Sequence, residues 1–193
     1  MSAERRPGRP PDPALGPALR RAARDVLAEH GWRGMTVERV AQRAGVARTT
    51  VYRRHGSVHG VLLLLMDDIY AHVPVADTGS LRSDLVALMR DIVIVWRDPA
   101  NVEYLGALIA AQHENTDLGR AYRRQLEDRR AATSVIVTRA AERGELAPDA
   151  DGDLLLDLLS GIVLQRVLLR RRPLGDDFAE MIVDQLLVGF VRG

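Results

Sequence analysis

The 193-residue chain contains no cysteine. Without thiols it can form neither a disulfide nor a thiolate metal centre, and a reducing compartment is its natural setting. It also lacks lysine, so all 27 of its basic residues are arginines and the position of the charge carries the information. No long hydrophobic run is present. The longest, Val61 to Met66, is far too short to cross a bilayer. The first residues are charged and proline-rich with no apolar stretch behind them, so no signal peptide is expected. These absences predict a soluble, cytoplasmic protein with no membrane partner.

What is present is enough to build a core. Hydrophobic residues make up 47% of the chain, which argues against wholesale disorder. The length suits one large domain or two modest ones. The net charge of +1 hides an asymmetry: residues 1–56 carry 12 arginines against 5 acids, and the remainder 15 arginines against 21 acids. One end is basic enough to seek a polyanion, while the other would be repelled by it.

Residues 1–13 include Arg5-Arg6-Pro7-Gly8-Arg9-Pro10-Pro11 and are expected to form a flexible basic arm. From there the apolar periodicity is helical throughout. A first helix fits about Pro17 to His30, a second opens at the N-cap Thr36, and a third runs from about Arg48 to His55. A fourth is expected from Ser57 to about Val73, a fifth from Ser80 to Trp96, and a sixth from Asp98-Pro99 to about His113. A long seventh spans Thr116 to Gly144. The last two, Asp153–Arg171 and Asp176–Val191, are apolar most of the way round, as helices buried in a core or against a partner are. An all-α fold of about nine helices follows, with expected divisions into an arm (1–13), a basic three-helix N-terminal domain (14–60) and a larger C-terminal domain (61–193).

The window Val37–Arg54 has helix-turn-helix spacing. Ala41 is small where two helices cross, Gly45 stands at the tight turn, and Val40, Val46 and Val51 form the inner face. The second helix of the pair then exposes Arg48, Thr49, Tyr52, Arg53 and, at its end, His55. A helix bearing arginines and an aromatic suits the major groove, where arginine pairs bidentately with guanine and apolar edges touch thymine methyls.

Across Val26-Leu27-Ala28-Glu29-His30-Gly31-Trp32, Met35-Thr36-Val37, Val40-Ala41, Ala44-Gly45-Val46 and Thr50-Val51-Tyr52-Arg53, the chain resembles the DNA-binding domain of the TetR (tetracycline-repressor) family. The resemblance implies a third helix that reads operator DNA, a fourth that connects to a ligand domain, and a dimer bundle made by the last two helices. Carried over, Arg48, Thr49 and Tyr52 face bases, while Thr36, Thr50, Arg53 and Arg54 hold phosphates. The chain departs from the family pattern at His55 (usually aromatic), at Val58 (usually lysine) and at Ala47 (usually a capping Ser or Thr). In the arm, Gly8-Arg9-Pro10 is similar to the core of minor-groove AT-hooks, which makes Arg9 a further DNA-binding candidate.

No nucleophile elbow, P-loop or dinucleotide fingerprint is present, so neither an enzyme nor a cofactor is expected. Asp149 to Asp153 begins like a calcium loop, but its glycine is misplaced and Ser160 stands where a bidentate Glu belongs, so no metal site is expected. Candidate effector-cavity residues are Met66, Tyr70, Met89, Ile92, Trp96, Tyr104, Ile109 and His113. Candidate dimer-interface residues are Leu158, Ile162, Phe178, Met181 and Leu186. The expected function is a homodimeric transcription regulator, a repressor released from a palindromic operator by an unknown small-molecule effector. The alternative is an architectural or adaptor DNA-binding dimer without an effector.

Overall fold

The computed structural model describes residues 14–66, 69, 74–114 and 116–191. Among them are nine α-helices: α1 (Leu15–His30), α2 (Val37–Ala44), α3 (Arg48–His55), α4 (Val58–Leu63), α5 (Leu81–Trp96), α6 (Pro99–Gln112), α7 (Asp117–Glu142), α8 (Gly152–Leu164) and α9 (Phe178–Leu187). A 3₁₀ turn, Trp32–Gly34, links α1 to α2, and α8 runs on into a π-helical turn at Gln165–Leu169. The described residues contain no strand, only an isolated bridge between Leu146 and Val191. None of their helices is long and apolar enough to cross a membrane.

The helix starts follow from side-chain chemistry. Thr36, Ser80, Asp98 and Thr116 each accept a hydrogen bond from a backbone N–H in the first turn they open, at 3.2, 3.2, 2.8 and 3.1 Å. Each satisfies a donor that the helix cannot satisfy itself, typically worth about 1 kcal/mol.

Two apolar clusters fill the molecule. The first joins α1 (Leu19, Val26, Leu27), α2 (Val40, Ala41), Val51 of α3 and Leu62 of α4 to Tyr104 and Leu108 of α6 and Leu118 of α7. It joins residues on both sides of residue 60. The second packs α5 (Leu81, Leu85, Met89), Ile136 of α7, α8 (Leu155, Leu159, Val163) and α9 (Phe178, Val183) together.

Polar links reinforce the seam between α1 and α6. Arg24 pairs with Asp98 and donates to Asn101 Oδ1 at 3.2 Å. Glu103 of α6 uses both carboxylate oxygens: Oε2 accepts from Trp32 N at 3.2 Å, and Oε1 accepts from Arg171 at 2.7 Å.

One expected element is interrupted where its periodicity suggests continuity. The fourth helix, expected to run to about Val73, breaks after Leu63 into a turn at Leu64 and Leu65; Met66 and Ile69 are helical again, and 67, 68 and 70–73 lie outside the described residues. The cause is tertiary. Tyr104 Oη donates to Leu62 O at 2.9 Å and Arg20 Nε to Leu64 O at 3.0 Å, while Leu64 N and Leu65 N bond carbonyls three residues back. Partners outside the helix thus occupy the carbonyls, and the last turn tightens.

Candidate nucleic-acid interface and interior cavity

The helix-turn-helix is held by its turn. Gly45 is left-handed (φ 68°, ψ 30°), and its N–H reaches back to the carbonyls of Ala41 and Gln42. Only glycine takes this conformation without steric cost. Ala47 gives α3 no side-chain cap, as its methyl must, although its carbonyl accepts from Thr50 N at 2.9 Å. Val51 is buried and fixes the rotation of α3. One face is thereby turned outward: Arg48, Thr49, Tyr52, Arg53 and Arg54 are exposed, and Thr50 is half-buried beside them. Thr36 is half-buried at the N-terminus of α2. Arg9 lies outside the described residues.

Not every cation here faces outward. Arg43 is drawn back onto α1, with Nη1 2.8 Å from Glu29 Oε1 and 3.4 Å from Asp25. Arg39 is turned back onto Gly34 O.

The corner after α3 is tight. Ser57 caps α4 by accepting from Gly60 N at 3.3 Å, and Gly60 lies so close to α3 that a Cβ there would sit 1.8 Å from His55 O. His55 itself is half-buried. Burial, and then the neighbouring Arg54 guanidinium, push its imidazole below the ordinary value of 6.5 and favour the neutral ring.

Glu38 joins this surface, and nothing in the local sequence marks it. On α2 it faces the outward side chains of α3: Tyr52 Oη donates to its Oε1 at 3.2 Å, and Arg48 Nη1 lies 3.6 Å from the same oxygen. The pairing crosses the turn between two helices, so no single-helix spacing marks it.

Between α5, α7 and α8 lies a two-lobed cavity of about 160 and 300 Å³, whose lobes share Ile92, Leu126, Arg129 and Ser160. Trp96, Leu105, Tyr122 and Val163 line the first lobe, and Leu88, Met89, Thr133 and Leu159 the second. Of the eight expected cavity residues, Met89, Ile92 and Trp96 line it. Met66 and Tyr104 are buried in the first apolar cluster, and Tyr104 has its hydroxyl on Leu62 O. Ile109 packs against that same cluster, His113 is exposed just past α6, and Tyr70 lies outside the described residues. The polar lining supplied by α7 and α8 was missed: Arg129 and Ser160 sit on helices whose charged and apolar residues read equally well as surface and core.

On α8, Leu158 is 40% exposed, with Leu154 also exposed and Ile162 half-buried; on α9, Met181 is 42% exposed and Leu186 half-buried, and Val188 just past it is exposed. Phe178 departs from the expected interface. It is 1% exposed within the single chain, in the second cluster, with the Arg166 guanidinium 4.9 Å from its ring centroid. A helix apolar all round carries no mark of which face turns inward.

Comparison with known proteins agrees with this architecture. Residues 19–63 match the family model of bacterial regulatory proteins, tetR family, and residues 75–186 that of the tetracyclin repressor-like C-terminal domain. The DNA-binding transcriptional repressor TetR of Mycobacteroides abscessus is 31% identical over 91% of this chain and 93% of its own. Among solved structures, the TetR family regulator SCO0332 is 32% identical with a TM-score of 0.59, covering 91% of this chain and 97% of its own. The ketosteroid regulator KstR2 of Mycobacterium tuberculosis (20% identical, TM-score 0.65, 95% and 98% covered) and SmeT in complex with triclosan (21%, 0.65, 93% and 92%) share the fold. With a helix-turn-helix whose second helix is exposed, a matching C-terminal domain and relatives along nearly its whole length, the chain belongs to the TetR family of DNA-binding transcriptional regulators.

Proposed function

We propose that the chain is an operator-binding repressor that acts as a homodimer and releases DNA when a small, largely apolar effector enters the cavity between α5, α7 and α8. In this reading Arg48, Thr49 and Tyr52 meet base edges in the major groove. Thr36, Thr50, Arg53 and Arg54 hold phosphates, and Arg9 reaches the adjacent minor groove. A second copy covers the face around Leu158 and Met181 and spaces the two reading helices about 34–36 Å apart, one turn of B-DNA.

The observation that carries the effector reading is the cavity itself. A half-open, mostly apolar cleft lined by Ile92, Trp96, Leu105 and Met89, with Arg129 and Ser160 as polar groups, is the kind of site that takes a small ligand, and a protein that only dimerises and binds DNA has little need of one. The named repressor relative and the neighbour solved with triclosan support the same reading. A path to DNA is short: Trp96 lines the cavity, and α6 follows directly, holding α1 through Asp98, Trp32 through Glu103 and α4 through Tyr104. Such coupling is typically worth about 1–3 kcal/mol, roughly 5–150-fold in operator affinity.

Thermal melting against a panel of apolar compounds tests it. A true effector present at about 100 times its Kd stabilises by roughly 2.7 kcal/mol, or about 5–10 °C for a chain of this size. The same compound should weaken DNA binding, and Ile92→Trp, which fills the cavity, should abolish both effects. If no compound both raises melting and weakens DNA binding, the effector-free reading replaces this one.

A further inference from the structure

We propose that Glu38 determines operator specificity: it is the positioning residue that holds Arg48 and Tyr52 in one reading geometry and disfavours every duplex that does not repay its charge. The inference rests on α3 being the reading helix and adds a role on α2 that this assignment does not contain.

Three observations place it. Glu38 Oε1 accepts from Tyr52 Oη at 3.2 Å and lies 3.6 Å from Arg48 Nη1, so a single carboxylate oxygen serves two outward side chains of α3. Glu38, Arg48 and Tyr52 are all exposed on the same surface. The two cations of α2, Arg39 and Arg43, are turned back toward Gly34 and α1, so they do not neutralise Glu38.

The physical consequence has two parts. Arginine and tyrosine on a free helix face sample many rotamers, and a shared acceptor removes part of that freedom before DNA arrives. At the same time, a carboxylate brought against a duplex meets phosphates and acceptor-rich base edges, both repulsive. The cost falls on any sequence. It is offset only where Arg48 finds guanine in the geometry that Glu38 sets, or where a cytosine amino group donates to the carboxylate. A negative charge at this place therefore lowers non-specific binding more than specific binding.

The experiment begins by selecting a duplex with the wild-type protein from a random 30-bp pool. Affinity for that duplex and for a scrambled one is then measured at several salt concentrations for wild type, E38Q, E38A and R48A. E38Q keeps an acceptor for Tyr52 and removes only the charge. It should bind scrambled DNA more tightly, with a log–log salt slope steeper by about one phosphate contact, near 0.9. Its selected-to-scrambled ratio should fall about tenfold, within the range one bidentate contact commands. E38A, which loses the tyrosine bond as well, should lower the ratio further. A carboxylate that served only as a favourable charge in the first turn of α2 would shift melting slightly and leave the ratio alone. Unchanged ratios and slopes in both Glu38 variants, with selected-site binding lost in R48A, would overturn the inference and leave the reading helix standing. Undiminished selected-site binding by R48A would overturn both.

Discussion

His55 closes α3 with its side chain half-buried and its carbonyl pressed against Gly60. Burial and the Arg54 guanidinium hold its imidazole below 6.5, so the folded chain resists a proton that the unfolded chain accepts. Stability from this residue is fully present above pH 6.5 and is lost as pH falls from 6.5 through the depressed folded value. His55→Gln should flatten the fall in melting temperature over that acid window while leaving melting at pH 8 nearly unchanged. Melting curves at half-unit pH steps check this; an identical pH slope in both proteins would assign the titration elsewhere. The residue type alone gave His55 an outward role at the end of α3. Its half-burial was not legible, because it depends on how closely α4 returns.

Helices were the most legible level. Thr36, Ser80, Asp98-Pro99 and Thr116 announce their helices by local chemistry, and each caps the helix it precedes. Where elements went unread, the cause lies far away in sequence: the helix begun by α4 breaks at Leu64 and Leu65, where Tyr104 and Arg20, more than forty residues distant on either side, bond the carbonyls of Leu62 and Leu64. The cavity lining was legible on α5, where Met89, Ile92 and Trp96 share one face, and not on α7 or α8, whose inner faces are set by mutual packing. Asp84 on α5 is a further case that only the folded chain reveals. It is fully buried, and its Oδ1 accepts from both Thr78 N and Thr78 Oγ1 at 2.6 Å, with Arg143 3.7 Å from Oδ2. It ties the strap before α5 to the end of α7. Asp84→Ala should strand the Thr78 N–H and cost about 1–3 kcal/mol. That predicts a melting temperature lower by roughly 2–12 °C at this size. DNA affinity below the melting transition should hold, since the helix-turn-helix lies in the other cluster.

For the whole molecule, the two apolar clusters divide the work: one steadies α3 against α6, the other backs α8 and α9, and the cavity lies where the two meet, lined by Leu105 and Tyr122 of the first and Met89, Leu159 and Val163 of the second. Along α8, α9 and just past it, Leu154, Leu158, Met181 and Val188 stay exposed, the last 82%, which is more grease than a lone surface helix pair needs. Met181→Glu should place an unpaired charge in a self-complementary seam and shift sedimentation from dimer to monomer. It should also weaken binding to a two-half-site duplex while sparing the weak binding of a single half-site. A stable wild-type monomer at micromolar concentration would remove the seam altogether. Phe178 should tolerate no polar replacement in either state, because it serves the chain's own interior.

The contact between Gly60 and the carbonyl of His55 makes the corner between α3 and α4 a gauge with a tolerance smaller than one methyl group. Any state in which α3 swings away from α4 opens that gap, and any state that keeps them together forbids a Cβ at position 60. A methyl placed there is then a wedge, a covalent stand-in for whatever moves the reading helix. Gly60→Ala should bind the selected duplex poorly with no small molecule present, yet keep its interior cavity and its dimer. Compounds that drive release in the wild type should then find the variant already released and bind it at least as tightly, because the work of opening is done. Titration of such a compound into wild type and Gly60→Ala, with duplex affinity read in parallel, would show whether one hydrogen-to-methyl change can substitute for an effector.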